Sequence, residues 1–139
     1  MHKIDELQSS LEETSYDQDH GEYMTHSQMQ VCAFDKVKEW YVSEKVPKAN
    51  PNPKSNDALY FGKEECFFIE FKNGKISNEV NYEINKKIYD SLFLLFDLKY
   101  RDKKGKMVDS ISYTRDLMTY ILVYNEENYL KFGPTRQGI

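Results

Sequence analysis

The chain is short of cysteine, histidine and long apolar runs, and each shortage removes a class of protein. Cys32 and Cys66 are the only cysteines in 139 residues, too few for a disulfide-stapled scaffold or a cysteine-rich metal site. They read as free, buried thiols of a reducing compartment. His2, His20 and His26 all fall early in the chain, and a zinc site among them is not expected. No stretch has the apolar length needed to cross a bilayer. The opening "MHKIDELQSSLEETSYDQDH" lacks the apolar segment of a signal peptide. A cytoplasmic protein without membrane association is therefore expected. Excess positive charge is absent as well: the net charge of -4 argues against a generic nucleic-acid coat.

What is present suits one soluble globular domain, with 40% hydrophobic and 30% charged residues. The aromatic share of 14%, from 11 Tyr and 8 Phe, is high enough to expect a well-filled core. Charge is unevenly placed. Residues 1–25 hold seven acids (Asp5, Glu6, Glu12, Glu13, Asp17, Asp19 and Glu22) against Lys3 alone, a net -6 that leaves the rest of the chain at +2. Residues 1–24 are thus expected to form an acidic arm or a short helix, with Ile4, Leu7 and Leu11 on one stripe. Its functional version would be a mimic of DNA that blocks a basic groove.

Beyond the arm, Thr25 and Gln28 have capping-box spacing. A helix is expected over 27–44, on the apolar recurrence of Met29, Ala33, Phe34, Val37, Trp40 and Tyr41. Trp40 reads as its core anchor. Pro47, Pro51 and Pro53 then exclude a regular helix and a central strand. "DALYFG" (57–62) and "CFFIEFKNG" (66–74) read as two strands of an antiparallel hairpin. A helix follows from Asn78, with a stripe of Val80, Ile84, Ile88, Leu92 and Leu95 widened by Tyr89, Phe93 and Phe96. "YRDKKGK" (100–106) reads as a solvated helix-end loop, and "SISYTRDL" as a helical turn or short helix. "MTYILVYN" (118–125) reads as a buried strand, and the tail as loop. The order predicts an α/β or α+β domain with a small mixed sheet, its last strand parallel to the one before the helix.

The chemistry concentrates on the second strand of the hairpin. Glu70 and Lys72 interrupt an apolar run and, two residues apart, share a face with Phe68. Asp57 opens the neighbouring strand, where pairing brings it near Glu70. Two close carboxylates repel unless a cation lies between them, and a hard divalent ion such as Mg²⁺ prefers such oxygens. The simpler reading of Glu-x-Lys is a surface salt pair, worth about 1 kcal/mol at most. The upstream Asp57, the apolar context of the strand and the broad helix after it lift the pattern above that.

Asp57 followed by Glu70-Phe71-Lys72 after an apolar run resembles the PD-(D/E)XK nuclease superfamily. The resemblance covers roughly residues 27–125 and implies a restriction-endonuclease-like αβββαβ core, with 25–139 as one nuclease-like domain. It implies Asp57 and Glu70 as metal-binding carboxylates, the Phe71 backbone carbonyl as a further ligand and Lys72 as the catalytic lysine. The helix from Asn78 matches the second core helix, and "MTYILVYN" the last core strand. Mg²⁺ (or Mn²⁺) is the implied cofactor, and hydrolysis of DNA phosphodiesters, ahead of RNA, the implied reaction. Asn56 stands where the motif's name has Pro. The first strand of the meander is expected within "KVPKANPNPKSN". Asp35, Glu39 and Glu44 are candidates for the acid the family often carries on its first helix, and Lys86, Lys87 and Ser91 could face the site from the second. The alternative is a catalytically inactive protein of the same fold that acts as an inhibitor, an immunity protein or a subunit, and a homodimer or a protein partner fits either reading.

Overall fold

The structure, a computed structural model, describes residues 3–48, 53–62, 65–74, 77–98 and 118–125. It is a mixed α/β fold of the α+β kind. In chain order the elements are α1 (Lys3–Glu6), β1 (Gln8–Ser10), α2 (Leu11–Thr14), β2 (Tyr16–Asp17), β3 (Glu22–Tyr23), β4 (Gln30–Ala33), α3 (Phe34–Lys45), β5 (Ala58–Phe61), β6 (Cys66–Lys72), α4 (Asn78–Leu98) and β7 (Met118–Tyr124). The main sheet has five strands in the order β1-β4-β5-β6-β7, and β2 and β3 form a separate two-stranded ribbon. Within the main sheet β1, β4, β5 and β6 pair antiparallel with their neighbours, while β7 runs parallel to β6 from Cys66↔Met118 to Lys72↔Tyr124. Such a parallel return needs a crossover, and α4 lies within it. Among the described residues, no helix is long and apolar enough to cross a membrane.

The strand adjoining β5 is β4, not a segment of the proline-rich stretch. Cys32 pairs with Leu59 and Ala33 with Ala58. This corrects the expected helix over 27–44: 27–29 have no regular structure, Gln30–Ala33 are strand, and the helical part begins at Phe34. The physical reason is pairing: Gln30–Ala33 sits between β1 and β5 and its ladder bonds are taken from both sides. The capping-box pair starts no helix: Thr25 Oγ1 accepts from the Ser27 N–H, and the Gln28 amide donates to Glu12 Oε1 and to the His26 carbonyl. In α3 the buried residues are Phe34, Val37 and Tyr41, a spacing of three and four that defines its core face. Residues 3–24 are built into the domain. Ile4 is fully buried, β1 is the edge strand beside β4, and the expected single helix is two short turns, α1 and α2.

Alternation along the strands separates two cores. Cys32, Leu59, Phe61, Cys66 and Phe68 face α1, α3 and α4 and meet Ile4, Phe34, Val37, Leu94 and Leu95. Phe34 stands edge-on to Phe68 with ring centres 5.2 Å apart. Val31, Ala58 and Ile69 face the other way, where Leu11, Phe67, Phe71 and Val123 cover them. Tyr41 Oη donates to Asp97 Oδ2 at 2.7 Å and ties α3 to α4. The expected width of the α4 stripe is corrected: Ile84 and Leu95 are buried, but Tyr89 and Phe93 are 72% and 63% exposed. The buried surface widens on the opposite flank of the stripe, through Ser91 and Leu94, while Phe96 packs half-buried against the core. The stretches expected as a solvated loop (100–106), a helical turn near 110–117 and a C-terminal tail lie outside the described residues.

Candidate active site

β5 and β6 bring the two predicted carboxylates together. Ala58 pairs with Ile69, so one step back along the antiparallel ladder sets Asp57 opposite Glu70. Leu59 and Phe61 on β5, and Cys66 and Phe68 on β6, face the helices. By the two-residue period, Asp57, Glu70 and Lys72 share that face. The strand passes from a dry core at Phe68 (3% exposed) through Glu70 (1%) to a half-buried Lys72. Of this face, Asp57 and Lys72 reach the clefts beside the sheet, while Phe68 and Glu70 lie beneath them.

Each carboxylate has one oxygen held by a donor. Asp57 Oδ2 accepts from the Phe71 N–H at 2.8 Å. Backbone N–H and C=O of a strand residue point to the same side, so the Phe71 carbonyl lies on the side of Asp57. Glu70 Oε2 accepts from Lys87 Nζ at 2.5 Å, while Glu70 Oε1 is buried and meets no donor among the described residues. Burial, then the charge on Glu70, pushes the Asp57 carboxyl up to about 7, against the pull of the Phe71 N–H and of Lys87. Burial also raises Glu70, and Lys87 and Lys72 oppose the rise. Lys87 is raised in turn: burial favours its neutral form, and Glu70 outweighs that.

Of the three candidates on α4, Lys87 and Ser91 turn inward and Lys86 does not. Lys86 Nζ reaches along the helix to Asp90 at 2.7 Å. Ser91 Oγ accepts from the Asn56 N–H at 2.9 Å, and Asn56 Oδ1 accepts from Tyr120 Oη at 3.0 Å. Asn56, fully buried, is thereby clamped between α4 and β7, which fixes the chain one residue before Asp57. Burial, then Glu70 and Asp57, raises the Tyr120 hydroxyl and keeps it a donor. Tyr120 escaped the sequence reading. Its signal was a hydroxyl amid the apolar residues of "MTYILVYN", which needs a partner when it is covered. The strand itself, expected to be buried, is a half-exposed edge strand with Ile121 and Tyr124 open to solvent, because among the described residues β6 covers it on one side only.

Asp57 borders two clefts beside the β2–β3 ribbon. One, of about 300 Å³, is lined by Tyr16, Asp17, Gln18, Phe71 and Lys72 among others. The other, of about 380 Å³, is bordered by Glu13, Tyr16, Gln18, Tyr23 and Asp35. Asp35 is thus the first-helix acid that shares a cleft with Asp57; Glu39 and Glu44 line neither. The ribbon is short and turns through Gly21, whose φ of +63° suits glycine. It is pinned at Asn73, next to Lys72, whose Nδ2 donates to Asp17 Oδ2 and Glu22 Oε1, both at 2.8 Å. Nothing in the acidic pattern of residues 1–24 identified this seat, because it depends on an amide about fifty residues away.

The donor set suits a hard cation. No group of three or more His, Cys, Asp or Glu side chains with metal-site geometry occurs among the described residues, but magnesium sites characteristically use one or two carboxylates and complete their shell with water and phosphate oxygen. The orphaned Glu70 Oε1 is a buried acceptor that a cation would satisfy. Cys32 and Cys66 are free and buried, and burial pushes the Cys32 thiol up to about 12, far from the thiolate that metals bind. Comparison with family models, curated proteins and solved structures returned no match for the chain.

Proposed function

We propose that the chain is a metal-dependent nuclease of the PD-(D/E)XK type, acting on DNA ahead of RNA. The observation that carries this reading is the burial of Glu70 opposite Asp57 with one carboxylate oxygen unpartnered. A scaffold gains nothing from such a pair, since a buried acceptor without a donor costs about 1–3 kcal/mol. The sheet supports the same reading. β4, β5 and β6 form an antiparallel meander, and β6, α4 and β7 a parallel return, as in a restriction-endonuclease-like core. One departure is that α3 lies between the first and second meander strands.

In this reading Asp57, Glu70 and the Phe71 carbonyl would hold Mg²⁺ or Mn²⁺. Bound there, the ion would lower the pKa of a water and neutralise charge on the scissile phosphate. The chain's own residues do the rest. The Phe71 N–H fixes the Asp57 carboxylate, and the Asn56–Ser91–Tyr120 clamp fixes the backbone before it. Lys72, at the cleft end of the face, orients the attacking water or offsets developing negative charge. Rigid strands keep these groups in register.

A second reading has one observation in its favour. Glu13, Asp17, Asp19 and Asp35 border the clefts that Asp57 shares, and this acidic rim repels a polyanion. That suits an inactive member of the fold acting as an inhibitor or interaction module. One experiment separates the two: incubation with plasmid and single-stranded DNA plus Mg²⁺ or Mn²⁺, alongside Glu70→Ala and Lys72→Ala. The nuclease reading expects cleavage by wild type alone. No cleavage by wild type, or equal cleavage by all three, rejects it in favour of the second.

A further inference from the structure

The core-facing stripe of α4 runs through Ile84, Ser91, Leu94 and Leu95, and Lys87 falls on it by helical spacing. Lysine is rarely placed on such a face unless it is paired. The Lys87 side chain is 23% exposed and the Glu70 side chain it meets only 1%. Its neighbour Lys86 forms an ordinary surface pair with Asp90, so the inward lysine is not a by-product of a basic helix segment. The Lys87 contact is also one-sided. Its ammonium takes Glu70 Oε2 and leaves Oε1 buried without a donor among the described residues. Two carboxylates therefore share one nearby ammonium, with Lys72 further along the strand at the cleft.

We propose that Lys87 is a positioning residue, the resident counter-ion of Glu70, which holds that carboxylate in place and competes with a divalent cation for it. The inference rests on reading Asp57 and Glu70 as the cation's ligands. It has two consequences of opposite sign. Without the cation, Lys87 stabilises the fold, because a buried carboxylate stripped of its partner is strongly destabilising. With the cation, the ammonium is a like charge beside it and weakens its binding.

The test is Mn²⁺ titration calorimetry and thermal melting, with and without saturating Mn²⁺, on wild type, Lys87→Met and Lys87→Arg. Lys87→Met is expected to melt lower without metal, to bind Mn²⁺ about tenfold more tightly, and to gain more in Tm from Mn²⁺ than wild type does. Lys87→Arg is expected to follow wild type. Lys87→Gln, neutral but still able to donate to Glu70, replaces Lys87→Met if that variant does not fold. A purely structural lysine would leave Mn²⁺ affinity unchanged or weakened in the neutral variants, and that result overturns the inference while leaving the cation site standing. No Mn²⁺ binding by wild type or by the neutral variants overturns both.

Discussion

Replacing Asp57 by asparagine should stabilise the metal-free protein at neutral pH while removing a cation ligand. The Asp57 carboxyl ionises near 3.8 when unfolded and is pushed up to about 7 in the fold by burial and by Glu70. Between those values the folded state holds a proton that the unfolded chain has released. Stability therefore falls as pH rises through this window, and the loss is complete above the folded value. Three units at about 1.4 kcal/mol each set a ceiling of about 4 kcal/mol. Coupling to Glu70 spreads the effect over the pair, so about 2 kcal/mol is assigned to Asp57. The asparagine amide keeps an acceptor for the Phe71 N–H and carries no charge at any pH. In EDTA at about pH 8, D57N should melt about 4–8 °C above wild type, and the fall in wild-type stability between about pH 4 and pH 8 should flatten. Urea melts across that range read both effects. A wild-type stability that holds level or rises over this range, or a D57N protein that melts lower at about pH 8, would refute the electrostatic account of the pair.

Three further outcomes follow from the packing. Phe34→Ala removes a fully buried ring stacked edge-on against Phe68 and should cost about 3–5 kcal/mol in a denaturant melt. Tyr120→Phe leaves Asn56 Oδ1 without its hydroxyl donor and should cost about 1–3 kcal/mol, with cation affinity reduced because the backbone before Asp57 loosens. Asn73→Ala unpins the β2–β3 ribbon from Asp17 and Glu22. Amide exchange across 16–23 should speed up while the melting temperature changes little, as expected where few apolar contacts hold a segment.

The later part of the fold was legible because its signals are local. Alternation in "CFFIEFK", the turn after it and the apolar spacing from Asn78 each dictate one element, and β5, β6, α4 and β7 fall within a residue or so of where those signals place them. Asp57 and Glu70 could be set face to face because the hairpin register follows from the strand ends. β4 was hidden because Val31 and Cys32 run straight into Phe34 and Val37, so a strand and a helix read as one helical period. Its pairing with β1 and β5 is a long-range choice that no window of sequence contains. Lys87 and Ser91 could be named but not distinguished from Lys86, since the stripe drawn through Val80, Ile84, Ile88, Leu92 and Leu95 shares Ile84 and Leu95 with the buried one but is rotated away from its Ser91 and Leu94 flank. A lysine and a serine on the true stripe are the physical mark of the site: each must find a partner once the helix is buried.

The central claim is that Asp57 and Glu70 together hold a divalent cation, and calorimetric titration of Mn²⁺ into wild type and Glu70→Gln tests it most directly. The glutamine side chain keeps the volume and an acceptor for Lys87 while removing the charge. The account predicts saturable, one-site binding to wild type that is lost in a folded Glu70→Gln protein; equal binding by the two proteins, or none by wild type, would contradict it.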